Sequence, residues 1–284
     1  MLQVRSGGYI RPVNGALAPE IGTFLPTEGA EGRLQHSSRQ NPILAAEPAT
    51  MSIILCDIDG TLLSRNPTGR PGEQTPKRVA INRALAEEFG LPDVDFRQGI
   101  EHGLTDWRIA ENAVRCHRPE ASIDGAAWQR VCARAEGAFV RFADGDPPHY
   151  AALPGVPASL EALRAAGHTL GVVTGNVSFF AVDKLAHAGI DPALFAGPRG
   201  FGDHGRERHH IIRLAAAQAG DEPLVVLGDT RHDLAGAREA GLPFLGVGTT
   251  GLSAADLDGH DRVAWLADLA DATAVVAAVG ALTG

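Results

Sequence analysis

The chain has 284 residues, 44% of them hydrophobic and 21% charged, the balance of a globular protein with a sizeable core. Its formal net charge of −9 repels polyanions and argues against nucleic acid as a partner. No apolar run in the sequence reaches the roughly 18 residues that cross a bilayer, so a membrane partner is not expected.

In chain order, residues 1–50 come first, rich in Gly, Pro, Ala, Ser and Glu and without a sustained period. They read as a disordered tail. No apolar stretch flanked by basic residues marks a signal peptide there. At Ser52 the pattern changes. Ile53-Ile54-Leu55-Cys56 is a short apolar run closed by Asp57-Ile58-Asp59-Gly60-Thr61, which predicts a buried strand ending in a polar turn. Residues 67–148 then read as helices only, over 75–89, 105–115 and 125–142. Aromatic residues and Arg concentrate there, and the segment predicts an all-helical cap domain inserted after the first strand. Beyond it, apolar runs at 170–174, 224–229 and 244–247 alternate with Ala-rich helical stretches at 158–166, 177–188, 209–219 and 233–240, each stretch followed by Gly. Residues 263–265 and 269–281 predict a last strand and a closing helix. Strands that are apolar up to their polar ends, alternating with helices, define an α/β fold with a doubly wound parallel sheet. Its core comprises 51–66 and 149–284.

The three cysteines, Cys56, Cys116 and Cys132, form no disulfide framework and lack zinc-site spacing. They read as thiols of a reducing, cytoplasmic compartment. Cys56 adjoins Asp57 but, as a flanking strand residue, points the other way and serves packing.

Open parallel sheets bind ligands at the carboxyl ends of their strands. Three polar clusters fall at such ends: Asp57-x-Asp59-Gly60-Thr61, Thr174-Gly175-Asn176, and Gly228-Asp229-Thr230-Arg231-His232-Asp233. Asp57 and Asp59, one residue apart, point to the same side, and Asp229 can converge on them from another strand. Acids clustered in this way need a cation. Hard oxygen ligands with room for water suit Mg²⁺, which would hold a phosphoryl oxygen. Asp57 can then attack phosphorus to form an aspartyl-phosphate. Asp59 can protonate the leaving alcohol and later activate water. Thr174 and the amides of Gly175 and Asn176 can donate to phosphoryl oxygens. Three cations are candidates for the phosphate: Arg206, Arg208 and Lys184. Asp233, four residues after Asp229, can hold a metal-bound water or cap a helix. The expected partner is a small phosphorylated substrate.

These residues resemble the motifs of the haloacid-dehalogenase-like hydrolase superfamily. Asp57-Ile58-Asp59-Gly60-Thr61-Leu62 is similar to its first motif, Thr174 to its second, and Gly228-Asp229-Thr230-x-x-Asp233 to its fourth. The resemblance covers about residues 52–250. It implies Asp57 as nucleophile, Asp59 as general acid and base, and a metal bound by the Asp57 carboxylate, the Asp59 carbonyl and Asp229. The second acid argues for phosphoryl transfer, because dehalogenases of the superfamily lack it. The helical insertion resembles the cap of phosphoglycolate-phosphatase-like members. The third motif, a Lys followed by Pro, has no match; Arg206 and Arg208 both fall near its place. The stretch 62–73 is longer than the usual flap.

Gly103-Leu104-Thr105-Asp106 resembles the substrate loop of capped phosphatases, with Thr105, Asp106 and Arg108 as candidate contacts; Thr105 also suits a helix N-cap. His204, His209 and His210 lack the i, i+4 spacing of a helical metal site and read as surface residues. The expected function is Mg²⁺-dependent hydrolysis of a small phosphate ester. A phosphosugar mutase of the β-phosphoglucomutase type could use the same core and cap. A phosphonate hydrolase would want a cap lysine, and only Lys77 is offered, at a helix end. A non-catalytic metal-binding module would have lost one of Asp57, Asp59 or Asp229, and all are present.

Overall fold

Ile53–Cys56 (β1) is buried throughout and runs between two other apolar strands, which explains why its sequence shows no polar alternation. In the computed structural model, which describes residues 51–65, 75–140 and 149–284, β1 lies inside a six-stranded parallel sheet. The expectations for residues 1–50 and for most of the long flap lie outside the described residues.

The later strands of the sheet are β4 (Thr169–Val173), β5 (Arg199–Gly200), β6 (Leu224–Gly228), β7 (Phe244–Val247) and β8 (Val263–Leu266), in the order β5-β4-β1-β6-β7-β8. Between β1 and β6 the chain's crossovers turn in opposite directions, which opens a crevice at the strand ends. Alternate residues of β1 serve opposite faces. Ile54 and Cys56 join one apolar cluster, while Ile53 and Leu55 join the other. The second cluster takes its helix side from α6 (Arg208–Ala219) and α7 (Arg231–Glu239). The first takes α4 (Val156–Ala165), α5 (Ser178–His187) and α8 (Ala272–Thr283).

After β1 the chain forms β2 (Leu63–Arg65), which pairs antiparallel with β3 (Tyr150–Ala152). Through this ladder the chain leaves the core and returns. Sequence periodicity missed both strands and β5, because two or three residues carry no period. Between β2 and β3 lie α1 (Pro76–Phe89), a 3-10 turn at Phe96–Gly99, α2 (Asp106–Arg115) and α3 (Gly125–Ala138). Thr75 caps α1 by accepting from the Arg78 amide, and Pro76 fills the first turn where no amide proton is needed. The third helix was expected to reach residue 142 but ends at Ala138. Phe139 is extended and packs its ring 5.2 Å from Phe179 and 5.9 Å from Phe180, a burial that continued helix would forgo.

The inserted helices share an apolar cluster with the core, running from Leu62 and Phe180 to Ile81, Val131 and Trp128. Polar contacts reinforce it. Trp128 Nε1 donates to the Gly202 carbonyl at 3.0 Å, and the Asp106 amide donates to the Gly175 carbonyl at 2.7 Å.

Candidate active site

The ends of β1, β4 and β6 open into a cavity of about 450 Å³ roofed by the inserted segment 96–109. At its floor Asp57, Asp229 and Asp233 each offer a carboxylate oxygen within 4.8 Å of one another, all three buried. Burial pushes Asp57 well above the usual carboxylate range, and the neighbouring Asp233, Asp229 and Asp59 add to it, against the pull of Arg208. Burial, then Asp233, raises Asp229 to about 6, although Thr250 and Thr61 both donate hydroxyl protons to it. Acids held this close resist ionising together, and their oxygen donors fit a hard cation. Asp233 also closes a capping box with Thr230 at the start of α7, which is the helix-capping role read from its spacing.

Gly60 lets β1's loop approach this floor. It sits at φ +81°, and a Cβ there would stand 2.2 Å from an Asp229 carboxylate oxygen. Thr249 donates to the Gly60 carbonyl and Thr250 to Asp229, so the loop after β7 buttresses the acids. These two threonines belong to no motif, so nothing in the sequence marks them.

Asp59 turns the other way, toward β4 and α5. Lys184 Nζ lies 2.6 Å from both its oxygens, and Asn176 Nδ2 donates to it at 2.7 Å. Burial works to raise Asp59, but the charge and hydrogen bonds of Lys184, the Asn176 bond and the more distant Lys77 hold it below the ordinary range. Its side chain is outside the three-acid cluster. Thr174 is buried beside it and accepts from Asn176 Nδ2 at 2.9 Å. Cys56, pushed up to about 12 by burial and by Asp57, is an unreactive packing thiol.

The three candidate cations separate. Arg208 bridges Asp57 at 3.1 Å and Asp233 at 3.0 Å, its stem passing Gly236 of α7, where a Cβ would meet it at 2.9 Å. Lys184 holds Asp59. Arg206 does not reach the cavity: it binds the fully buried Glu111 on α2. Residue 208 opens α6 facing the sheet end, whereas 206 lies in the preceding turn and faces the insertion.

The expected substrate contacts separate in the same way. Gly175, Asn176 and Asp106 line the cavity. Thr105 and Arg108 do not. Thr105 caps α2 through the Arg108 amide and donates to the Arg206 carbonyl, and Arg108 pairs with Glu111 and Glu207. Their polar groups are spent on docking the insertion. The cavity wall is instead Phe96, Ile100, Leu104 and Ile109 from the insertion, with Tyr150 and Phe180 opposite. Lys77, set aside in the sequence as a helix-end residue, is buried in the same wall. One signal was available. Of 25 Lys and Arg residues only two are Lys, at 77 and 184.

These features define an α/β protein with a parallel sheet and a cluster of buried acids at the ends of its central strands. The model of the haloacid dehalogenase-like hydrolases matches residues 51–241, and the chain belongs to that family. It is 31% identical over 222 residues to a 5'-nucleotidase of Pseudomonas aeruginosa, a match spanning 76% of this chain and 91% of that protein. It is 30% identical over 213 residues to a plasmid-encoded phosphoglycolate phosphatase of Cupriavidus necator, spanning 69% and 81%. The fold matches a solved structure titled as a predicted phosphoglycolate phosphatase from Haemophilus somnus, with TM-score 0.51 and 22% identity over 79% of this chain and 97% of that one. It also matches a hydrolase from Pseudomonas syringae, with TM-score 0.50 and 20% identity over 79% and 97%. Among the described residues no helix is long and apolar enough to cross a membrane.

Proposed function

We propose that the chain is a Mg²⁺-dependent phosphatase that hydrolyses a small phosphorylated metabolite through an aspartyl-phosphate on Asp57. The observation that carries this reading is the division of the acids: Asp57 sits in the buried cluster with Asp229 and Asp233, while Asp59 is held apart by Lys184 and Asn176. That division supports reading one acid as the attacker and the other as the carrier of protons.

Asp57, Asp229 and Asp233 would hold the metal, which when bound neutralises the acids and draws charge from a phosphoryl oxygen. An Asp57 oxygen attacks phosphorus, and the bond from phosphorus to the substrate's ester oxygen breaks. Asp59 gives its proton to that departing oxygen. In the free site Asp59 is ionised, but a phosphoryl dianion entering beside Lys184 competes for the ammonium and raises the proton affinity of Asp59. Water then attacks phosphorus, Asp59 takes its proton, and the bond to Asp57 breaks to release inorganic phosphate. Thr174 and the Gly175 and Asn176 amides orient the phosphoryl oxygens. The inserted helices act as the cap: their wall meets only the leaving group, so they set substrate choice. The relatives' named substrates differ widely in size, and a cavity of about 450 Å³ admits both a two-carbon acid phosphate and a 5'-nucleotide. Three free cysteines suit a reducing, cytoplasmic setting.

The test is a panel of phosphate esters with purified protein, including phosphoglycolate, a 5'-nucleotide and sugar phosphates, assayed with Mg²⁺ and after exhaustive chelation. Phosphate release that requires the metal is expected. Full activity without metal, or transfer to sugars in place of release, would overturn the reading.

A further inference from the structure

Both lysines of the chain end on one amide. Lys77 Nζ donates to Asn176 Oδ1 at 2.9 Å, and Lys184 Nζ reaches the same oxygen at 3.3 Å. The other end of that amide donates to Asp59 at 2.7 Å and to Thr174 at 2.9 Å. Every hydrogen-bonding position of the Asn176 side chain is thereby used. Turned over, it would set its NH₂ against two ammoniums and its oxygen against a carboxylate, so the two cations fix one orientation.

The two lysines come from different parts of the fold. Lys184 belongs to α5 of the core; Lys77 belongs to α1 of the insertion. Lys77 also binds Asp106 Oδ1 at 2.7 Å, while the other oxygen of Asp106 accepts from the Val177 amide at 2.8 Å. The Lys77 ammonium lies 4.8 Å from the Phe180 ring centre and 5.6 Å from that of Phe96. A compact ammonium can serve two oxygens between two rings; a planar guanidinium is a poor substitute there. In a chain that otherwise uses Arg for its cations, Lys at these two positions matches that requirement.

We propose that Lys77 is a positioning residue: it fixes the Asn176 amide, and through it the Asp59 carboxylate, so that Asp59 is aligned for proton transfer only when the insertion is docked on the core. The docking itself has other supports, among them the Trp128 and Asp106 backbone contacts and the Glu111 ion pairs. Loss of Lys77 therefore disturbs alignment more than assembly. The inference rests on the reading of Asp59 as the acid that protonates the leaving group.

The experiment compares kcat/KM for an alkyl phosphate, whose leaving oxygen needs a proton, with p-nitrophenyl phosphate, whose leaving group departs without one. Lys77→Met is expected to lower the alkyl value by about tenfold or more, the scale of one lost bond to a charged donor, while the aryl value changes by less than about threefold. Lys77→Arg keeps a cation beside buried Asp106 and so guards against misfolding; it is expected to move the ratio in the same direction by less. Melting temperature is followed for both. If the ratio stays at the wild-type value in both variants, whether the rates are unchanged or fall together, Lys77 is structural and the inference is overturned. Should Lys77→Met fail to fold, the Lys77→Arg ratio decides alone. Wild type is run alongside Asp57→Asn. Absence of Asp57-dependent hydrolysis in the wild type would sink the phosphatase reading itself, whereas an active wild type with an unmoved ratio sinks only this inference.

Discussion

Gly60 shows how much of the site hangs on single residues. Its backbone is left-handed, and its missing side chain leaves the space occupied by Asp229 and Thr250. Gly60→Ala is expected to destabilise the fold by about 1–3 kcal/mol, because strained φ and a displaced buried acid act together. Urea unfolding measures it, and activity should fall with it. The acids make a second prediction. Asp229 stands raised to about 6 and Asp57 higher than usual, both chiefly through burial. An acid whose folded pKa is raised favours folding fully below its unfolded value, about 4, and loses that contribution as pH rises through the folded value. In metal-free protein the Asp229 part of the stability therefore declines between about pH 4 and 6, and the Asp57 part declines in the same direction. If the ionised acids hold Mg²⁺ as proposed, the rise in melting temperature that it causes should be larger at pH 7.5 than at pH 5. An equal rise at both would show that these acids do not receive the ion.

At the scale of elements, the strand ends and the inserted segment line one cavity, and in the proposed function the first carries the reaction and the second selection. Thr105 and Arg108 were expected to choose the substrate from their place at a helix start; their side chains instead hold α2 to the core. The insertion's side of the wall includes Phe96 and Ile100. Phe96→Ala is expected to reorder kcat/KM among esters with different leaving groups by about tenfold, while p-nitrophenyl phosphate changes little; an unaltered ranking would place selection elsewhere. What the sequence made legible here follows from physics. Asp57, Asp59, Thr174 and Asp229 terminate continuous apolar runs, and such runs can only be buried parallel strands. The choice between Arg206 and Arg208 was not legible, because two residues at a helix start face different neighbours and only the packed fold says which. Lys77 was hidden for a related reason: 20 residues separate it from Asp57, and its bond to Asn176 spans 99. Thr249 and Thr250 reach the site through a loop with no pattern of its own.

Across the described residues core and insertion form one compact unit, joined by a shared apolar cluster. Trp128 is one tie: fully buried, stacked 5.8 Å from Trp107 within the insertion, and bonded to Gly202 of the core. Trp128→Ala is expected to cost about 3–5 kcal/mol and to lower a single unfolding transition; two separated transitions would show that the insertion melts on its own. That unity gives the molecule its logic. The core supplies the acid cluster, and the insertion supplies part of the cavity wall and one lysine. The most direct test is the turnover of Asp57→Asn on a phosphate ester with saturating Mg²⁺, beside a melting curve. The substitution keeps the shape of the side chain and removes the attacking charge. Turnover at least about 10³-fold below wild type, with the melting temperature retained, is the expected result; a rate within about tenfold of wild type would contradict Asp57 as the nucleophile.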